Sequence, residues 1–190
     1  ALVALLVLLG GASVWVIGGQ KDRMDNAAKV TARKLDLAMQ MRGHAIDAKA
    51  ILRRVQLSGY TRERAAFEAA KKEADAMIEQ LEKLGGELTG LLVTEAGKKA
   101  VSEALATAKA WEVEATVVEN LVDAGKPDEA REHAASKCNP LVAKFIESID
   151  VVVQQQRDML AADVEAADAA YGEAWWLIMA VLLLAAAIGA

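Results

Sequence analysis

The chain has 190 residues, with 22 Lys and Arg against 27 Asp and Glu and a formal net charge of −5. This balance argues against the basic surface that nucleic-acid binding requires. The single cysteine, Cys138, excludes an intramolecular disulfide and leaves the redox compartment open. Every charged residue lies between Lys21 and Glu173, so we expect the two ends and the middle of the chain to face different solvents.

Residues 1–20 predict a first transmembrane helix. The first 19 residues are all apolar or small, and a bilayer crossing takes about 20 such residues. A cleaved signal peptide is one alternative, but its apolar core usually spans only about 7–15 residues and follows a basic leader. A buried core helix is another. Trp15 lies near the end of the run, where an indole ring suits a membrane interface.

The middle of the chain, residues 21–173, predicts a domain of four helices. Aromatic residues make up 4% of the sequence and no β-branched run alternates with polar residues, so strand signals are absent. Helix breakers form three clusters: Ser58-Gly59, Gly85-Gly86 to Thr94, and Gly125 to Pro127. The resulting helices end near Leu57, cover about 61–84 and 94–124, and start again at Pro127, with Thr94 as a predicted N-cap.

Apolar residues recur at intervals of three and four in all four helices. This spacing is typical of helices that pack in a bundle, and short connections make neighbouring helices antiparallel. The sequence therefore predicts an all-α, antiparallel up-down four-helix bundle. The predicted core positions are Met41, Ala45, Ala48, Leu52 and Val55 in helix one; Phe67, Ala70, Ala74, Met77, Leu81 and Leu84 in helix two; Val101, Leu105, Ala108, Trp111, Ala115, Val118 and Val122 in helix three; and Cys138, Leu141, Phe145, Ile149, Val152, Gln156 and Met159 in helix four.

Residues 174–190 predict a second transmembrane helix. This run contains 17 uncharged residues and begins with Trp175 and Trp176 close to the charged segment, as in an aromatic belt. It is slightly short for a full crossing, so we expect the chain to be a piece of a longer protein. No proline separates either span from the bundle, and we therefore expect helices one and four to continue into the membrane.

Signs of enzyme chemistry are weak. The two histidines, His44 and His133, lie on different predicted helices and about 10 Å apart in height. The sequence lacks a Glu-x-x-His pair, a haem-attachment motif and a glycine-rich phosphate loop. We expect neither enzymatic activity nor a bound metal or cofactor.

Helix one carries several cations beside a second apolar edge. The predicted helical spacing places Arg42, Lys49 and Arg53 near one face. Arginine suits carboxylate recognition because its guanidinium is always charged and binds both oxygens; a solvated face with weak surface ion pairs is the alternative. A helix with two apolar edges predicts a second partner, most simply the same helix of another subunit. The residues of this second edge are Leu35, Met39, Ile46 and Ala50.

The layout resembles the extracytoplasmic four-helix-bundle sensor module of methyl-accepting chemotaxis proteins, including its two flanking spans. Three stretches are similar to that family: RRVQLSG at the end of helix one, LEKLGGELTGLLVTEAGKKAVSEAL between helices two and three, and ENLVDAGKPDEAREHAASKCNPLVAKFIESIDVVVQQQ. The last combines a glycine turn, an acidic helix start and a central proline. The resemblance covers essentially the whole chain and depends on layout more than on signature residues.

The resemblance implies a homodimeric receptor in the bacterial inner membrane with a periplasmic sensor for organic acids or amino acids. It implies a ligand site formed by Arg42, Arg53 and Arg54 of helix one, with Ser136 and Asn139 of helix four opposite. The arginine spacing of the amino-acid receptors is not reproduced, so aspartate or serine is not the predicted ligand. The family relays a small displacement of helix four and the second span to HAMP and cytoplasmic signalling domains, with their kinase and adaptor.

Two other functions fit the same pattern. The sensor could feed a histidine kinase or a diguanylate cyclase instead of a chemotaxis output, and the sequence beyond residue 190 would distinguish these. Alternatively, the chain could be a two-span coiled-coil scaffold that binds no ligand.

Overall fold

A computed structural model describes the backbone of residues 2–189, and the side chains of residues 29–166, 168–169, 171–172, 175–176 and 179–180. Within these residues the chain is helical and contains no strand. The helices are α1 (Leu2–Thr61), α2 (Arg64–Leu91), α3 (Glu95–Asp123), α4 (Pro127–His133), a π-helical segment (Ala134–Cys138) and α5 (Asn139–Gly189). We refer to α4, the π-helical segment and α5 together as the fourth helix.

The chain divides into two compact units. One comprises residues 33–156 and contains the bundle, and the other comprises residues 1–32 and 157–190. Among the residues described, no helix offers a stretch both long and apolar enough to span a bilayer. The two predicted spans, 1–20 and 174–190, fall largely on side chains outside that description, so they stay predictions.

Ion pairs between helices establish the order of the bundle. Arg54 of α1 pairs with Glu73 of α2 at 2.6 Å, and Lys109 of α3 pairs with Glu82 of α2 at 3.0 Å. The fourth helix contacts α3 and α1 in turn: its His133 lies 2.6 Å from Glu114, and its Asp150 lies 3.0 Å from Arg42. Each helix therefore has two neighbours and successive helices run antiparallel, which confirms the predicted all-α four-helix bundle.

The predicted core positions form the core of this unit. Most of them are buried, and Leu84, Leu105, Val122 and Leu141 are partly buried and pack against the others. The repeated three–four spacing brings these side chains onto one face of each helix, where burial of their apolar surface stabilises the bundle. Met159 lies in the other unit, where its side chain is half-buried.

Local backbone chemistry explains two of the helix ends. The Thr94 hydroxyl accepts a hydrogen bond from the Gly97 N–H at 3.2 Å, so the predicted N-cap of α3 is confirmed. Gly125 has φ +72°, a left-handed conformation that glycine adopts without a Cβ clash. Pro127, which follows, occupies the start of α4 as predicted.

The prediction that Gly85-Gly86 ends helix two was wrong, because α2 continues to Leu91. Gly85 is buried, and a Cβ built there would lie only 2.8 Å from two side-chain atoms of Leu105. The glycine therefore permits a close approach of α2 to α3 instead of breaking the helix. Similarly, Ser58-Gly59 does not end α1, which runs on to Thr61 before Arg62 makes the turn at φ +59°.

Candidate functional site

One face of α1 points away from the bundle core and combines apolar and cationic side chains. We call this face the outer stripe, and it comprises Met39, Arg42, Ile46, Lys49, Arg53, Leu57 and Tyr60. Its four large apolar members are exposed by between 44% and 58%. Met39, Ile46 and Ala50 of the predicted second apolar edge are exposed, whereas Leu35 packs partly against the core. The bundle thus leaves most of this edge uncovered.

Arg42 is held at the border between α1 and α5. Its Nε donates to Asp150 Oδ1 at 3.0 Å, and both side chains are substantially exposed. An exposed pair of this kind contributes little to folding stability. The terminal guanidinium nitrogens of Arg42 have no hydrogen-bond partner among the described residues, so they are free to donate to an anion.

Arg54 is directed towards the other side of α1. Its guanidinium donates to Glu73 of α2 at 2.6 Å. Arg42 is bound to α5 and Arg54 to α2, and because these helices lie on opposite sides of α1 the two guanidinium groups diverge. The structure does not bring Arg54 together with Arg42.

Arg53 is exposed and has no ion-pair or hydrogen-bond partner among the residues that the structure describes. Two contacts between α1 and the fourth helix show which of their residues lie at the same position along the bundle axis: Arg42 with Asp150, and Tyr60 with Asp128. Arg53 lies about three fifths of the way from Arg42 to Tyr60, at a constant rise per residue. The same interpolation on the antiparallel fourth helix gives a position between Ser136 and Asn139, which are exposed.

Ser136 lies in the π-helical segment, and Asn139 follows it immediately. The Asn139 N–H bonds to the Ala134 carbonyl, five residues back, instead of four. Pro140 explains this local widening: it has no N–H, and its ring would clash with the carbonyl four residues earlier in a regular α-helix. The Ser136 hydroxyl donates to the Glu132 carbonyl at 2.8 Å. The hydroxyl oxygen can still accept a hydrogen bond from a ligand.

The end of the bundle beside these residues is tied by polar contacts. The Tyr60 hydroxyl donates to Asp128 Oδ1 at 2.7 Å, which joins α1 to α4. This hydrogen bond is the main reason that the pKa of Tyr60 lies above its ordinary value. Arg64 pairs with Asp123, which joins α2 to α3. These contacts join the four helix ends in two pairs, and Tyr60 lies about two helical turns beyond Arg53 on α1.

The histidines and the cysteine do not form a site together. His44 lies near Asp47 of its own helix, at 4.0 Å, while His133 contacts Glu114 of α3. The described part of the chain contains no group of three or more His, Cys, Asp or Glu side chains able to hold a metal. Cys138 is buried as predicted, and burial, aided by the charge of Glu114, raises its pKa to about 12. The thiol thus stays protonated and poorly nucleophilic.

The sequence did not single out Tyr60, Asp128 or Asp150. Tyr60 follows the predicted end of helix one, and no spacing rule pairs acids on the fourth helix with partners on α1. Their contacts depend on the register between two helices more than 60 residues apart in sequence, which local periodicity does not report. The π-helical segment did have a sequence signal in the interior proline, Pro140.

Comparison with known protein families supports the observed architecture. A family model described as a four helix bundle sensory module for signal transduction covers residues 1–171. This is the sensor module of methyl-accepting chemotaxis proteins that the sequence resembles. A search of curated proteins yields no significant match. Because the family model covers most of the chain and the observed bundle has the corresponding architecture, the chain belongs to the family of four-helix-bundle sensory modules for signal transduction.

Proposed function

We propose that this chain is the input module of a bacterial chemoreceptor that binds a small organic or amino acid anion and relays its presence across the inner membrane. The observation that carries the proposal is the outer stripe of α1, where Arg53, which has no ion-pair partner among the described residues, lies level with Ser136 and Asn139. A bundle that only needed to fold would gain nothing from an exposed apolar edge interrupted by cations, of which Lys49 and Arg53 have no ion-pair partner among the described residues. The module has no catalytic activity of its own.

In this proposal residues 1–20 and 174–190 cross the inner membrane and residues 21–173 lie in the periplasm. The membrane assignment is supported by the absence of charge from both ends of the sequence and by membership of the family. Residues 2–20 of the first proposed span belong to α1, and residues 174–189 of the second belong to α5. A displacement of the fourth helix would reach HAMP and cytoplasmic signalling domains beyond residue 190.

The proposed receptor is a homodimer in which the outer stripe of α1 faces the same stripe of a second copy. Met39, Ile46 and Leu57 would supply apolar contacts, because they are the large side chains that the bundle leaves uncovered. The cations of two facing stripes would lie close together and repel each other. A bound carboxylate between them would offset that repulsion, which makes the ligand anionic and links its binding to the dimer.

Arg53 is the central ligand residue of this site, with hydrogen bonds to the ligand from Asn139 and Ser136. Arg42 borders it and can contribute the nitrogens that Asp150 does not use. Arg54 would have to leave Glu73 to reach the ligand, so we assign it the smallest share of the binding energy.

The test is thermal unfolding of the purified 190-residue chain with a panel of organic acids and amino acids. A ligand at about 100 times its dissociation constant stabilises a protein by about 2.7 kcal/mol. We expect Arg53→Ala to abolish the stabilisation and Arg54→Ala to reduce it. As a control, Arg64→Ala removes an arginine from the same end of the bundle but on the side of α2 and α3, and it should preserve the stabilisation.

Two results would contradict the proposal. An unchanged response of Arg53→Ala would remove that arginine from the site. Stabilisation by none of the compounds, in a chain shown to be dimeric and folded, would favour a scaffold or a sensor of bound proteins.

A further inference from the structure

A partly open cavity lies among the core side chains of the bundle, where all four helices contribute side chains. Within it, the centre of a water-sized sphere can move through about 20 Å³. Ala45 of α1, Ile78 of α2, Ala108 of α3 and Phe145 of α5 are among the residues around it. These four side chains are buried, and none of the residues around the cavity belongs to the outer stripe.

The surface of this cavity is apolar throughout. Thr107 contributes to it, but its hydroxyl donates to the Glu103 carbonyl at 2.7 Å and is thereby used within its own helix. Trp111 also contributes, and its buried N–H has no hydrogen-bond partner among the residues that the structure describes. Since the cavity surface contains no polar atoms, that N–H is not part of it. A buried water requires two to four polar partners. The cavity offers none, so water does not fill it favourably.

The size of the cavity restricts what it can hold. Its volume of about 20 Å³ exceeds the roughly 10–15 Å³ that one water needs and is far below the roughly 150 Å³ of a cavity that takes benzene. An anion is excluded, because its charge would be buried without a partner. We propose that this cavity binds a small apolar molecule of one or two heavy atoms, the size of a dissolved gas.

The sequence accounts for the cavity. The core layer contains Ala45 and Ala48 of α1 opposite Ala108 of α3. Alanine side chains are too short to fill the space that the bulkier Trp111 and Phe145 hold open. Since all four helices border the cavity, an occupant favours this arrangement of the helices over one in which the cavity collapses. The cavity in the core and the anion site on the outer stripe use different side chains.

Xenon is a suitable probe, because it is apolar, inert and monatomic. The full 190-residue chain, labelled with ¹⁵N and ¹³C-methyl groups and held in a mild detergent, would be titrated with xenon under pressure. In NMR spectra we expect the chemical shifts of the Ala45 and Ala108 methyl groups and of the Trp111 indole N–H to change with xenon pressure and to reach saturation. Shifts that rise linearly with pressure, or that are the same throughout the bundle, would overturn the proposal.

Two matched variants of α3 sharpen the test. Ala108 borders the cavity and is 7% exposed, whereas Ala115 lies two turns further along the same face, is 5% exposed and does not border it. Ala108→Val should fill the cavity and weaken xenon binding at least about tenfold, while raising the melting temperature. Ala115→Val should overpack the core, lower the melting temperature and preserve the saturable shifts. Xenon binding that persists in Ala108→Val would refute the site.

A third variant keeps the test decisive if Ala108→Val does not fold. Ile78→Val removes one methyl group from the cavity wall and enlarges the space, and such a change is usually tolerated in a core. We expect it to bind xenon more tightly than the parent chain. Weaker or unchanged binding in Ile78→Val would contradict the proposal.

Discussion

The two faces of α1 have opposite relations to the rest of the bundle. On the inner face, Met41, Ala48 and Val55 are buried among the other helices. On the outer stripe, Met39 and Ile46 are exposed and alternate with the cations Arg42, Lys49 and Arg53. Stability accounts for the first face, since burial of apolar area is the main favourable contribution to folding. It does not account for the second, and this difference is the basis of our proposal that α1 also presents a binding surface.

The largest expected difference in the free energy of unfolding is between alanine variants of two methionines of α1. Met41 is fully buried and Met39, two residues away, is 44% exposed. Met41→Ala should lower the free energy of unfolding by about 2–5 kcal/mol, because it leaves a cavity in the core. Met39→Ala should change it by no more than about 0.5 kcal/mol when measured on the monomer. Urea unfolding of both variants tests this, and equal effects would contradict the assignment of the two faces.

The proposed dimer predicts a difference between two exposed apolar residues. Ile46 on the outer stripe is 51% exposed and Val113 on the outside of α3 is 65% exposed. Ile46→Glu should weaken association at least about tenfold, or 1.4 kcal/mol, because it places a carboxylate in an apolar contact. Val113→Glu should leave association unchanged. Analytical ultracentrifugation measures both, and dissociation caused equally by the two substitutions would place the interface elsewhere.

A smaller effect is expected for the pair between Arg42 and Asp150 at the border of the stripe. Both side chains are exposed, so a double-mutant cycle of Arg42→Ala and Asp150→Ala should give a coupling energy of about 0.2–1 kcal/mol. The coupling should decrease further in about 1 M salt, where charges are screened over roughly 3 Å. A coupling that is large and insensitive to salt would show that the pair is desolvated, as in a tight dimer interface.

The smallest effect concerns Tyr60 at the end of the stripe. Its neutral hydroxyl is the donor to Asp128, and its pKa in the folded protein is raised above the ordinary value of 10.0. The hydrogen bond therefore makes its full contribution to the free energy of unfolding below pH 10, and this contribution is lost as the pH rises through the raised pKa of Tyr60. We expect Tyr60→Phe to lower the melting temperature slightly at neutral pH, and the difference from the parent chain to shrink above pH 10. A difference that grows in alkaline solution would contradict the assigned donor.

The fold was largely predictable because bundle helices obey a local rule. The spacing of Phe67, Ala70, Ala74 and Met77 is sufficient to identify the buried face of α2, whatever its neighbours are. A second local rule, intrinsic helix propensity, gave a wrong result at Gly85-Gly86, because the low helix propensity of glycine predicts the end of the helix there. There, close packing against Leu105 favours a continuous helix, and tertiary contact overrides local preference.

The candidate site was predictable only in part. The sequence identified the cations of α1 and the polar residues near Pro140, because both are local features. The helical spacing already placed Arg53 on one face with Arg42 and Lys49, but the resemblance to the sensor family put Arg54 into the same predicted site. The structure distinguishes them through Glu73, which binds Arg54, while Arg53 stays unpaired among the described residues.

The sequence by itself determined the class of the molecule: four helices of alternating direction and a charged middle between two uncharged ends. These properties follow from periodicity and composition, which each segment carries independently of the others. Only the tertiary structure decided which acid binds which arginine, how far α2 extends past its glycines, and where the alanines of the core leave a cavity. Those features arise from the register between helices, and register depends on the fit of side chains from distant parts of the chain.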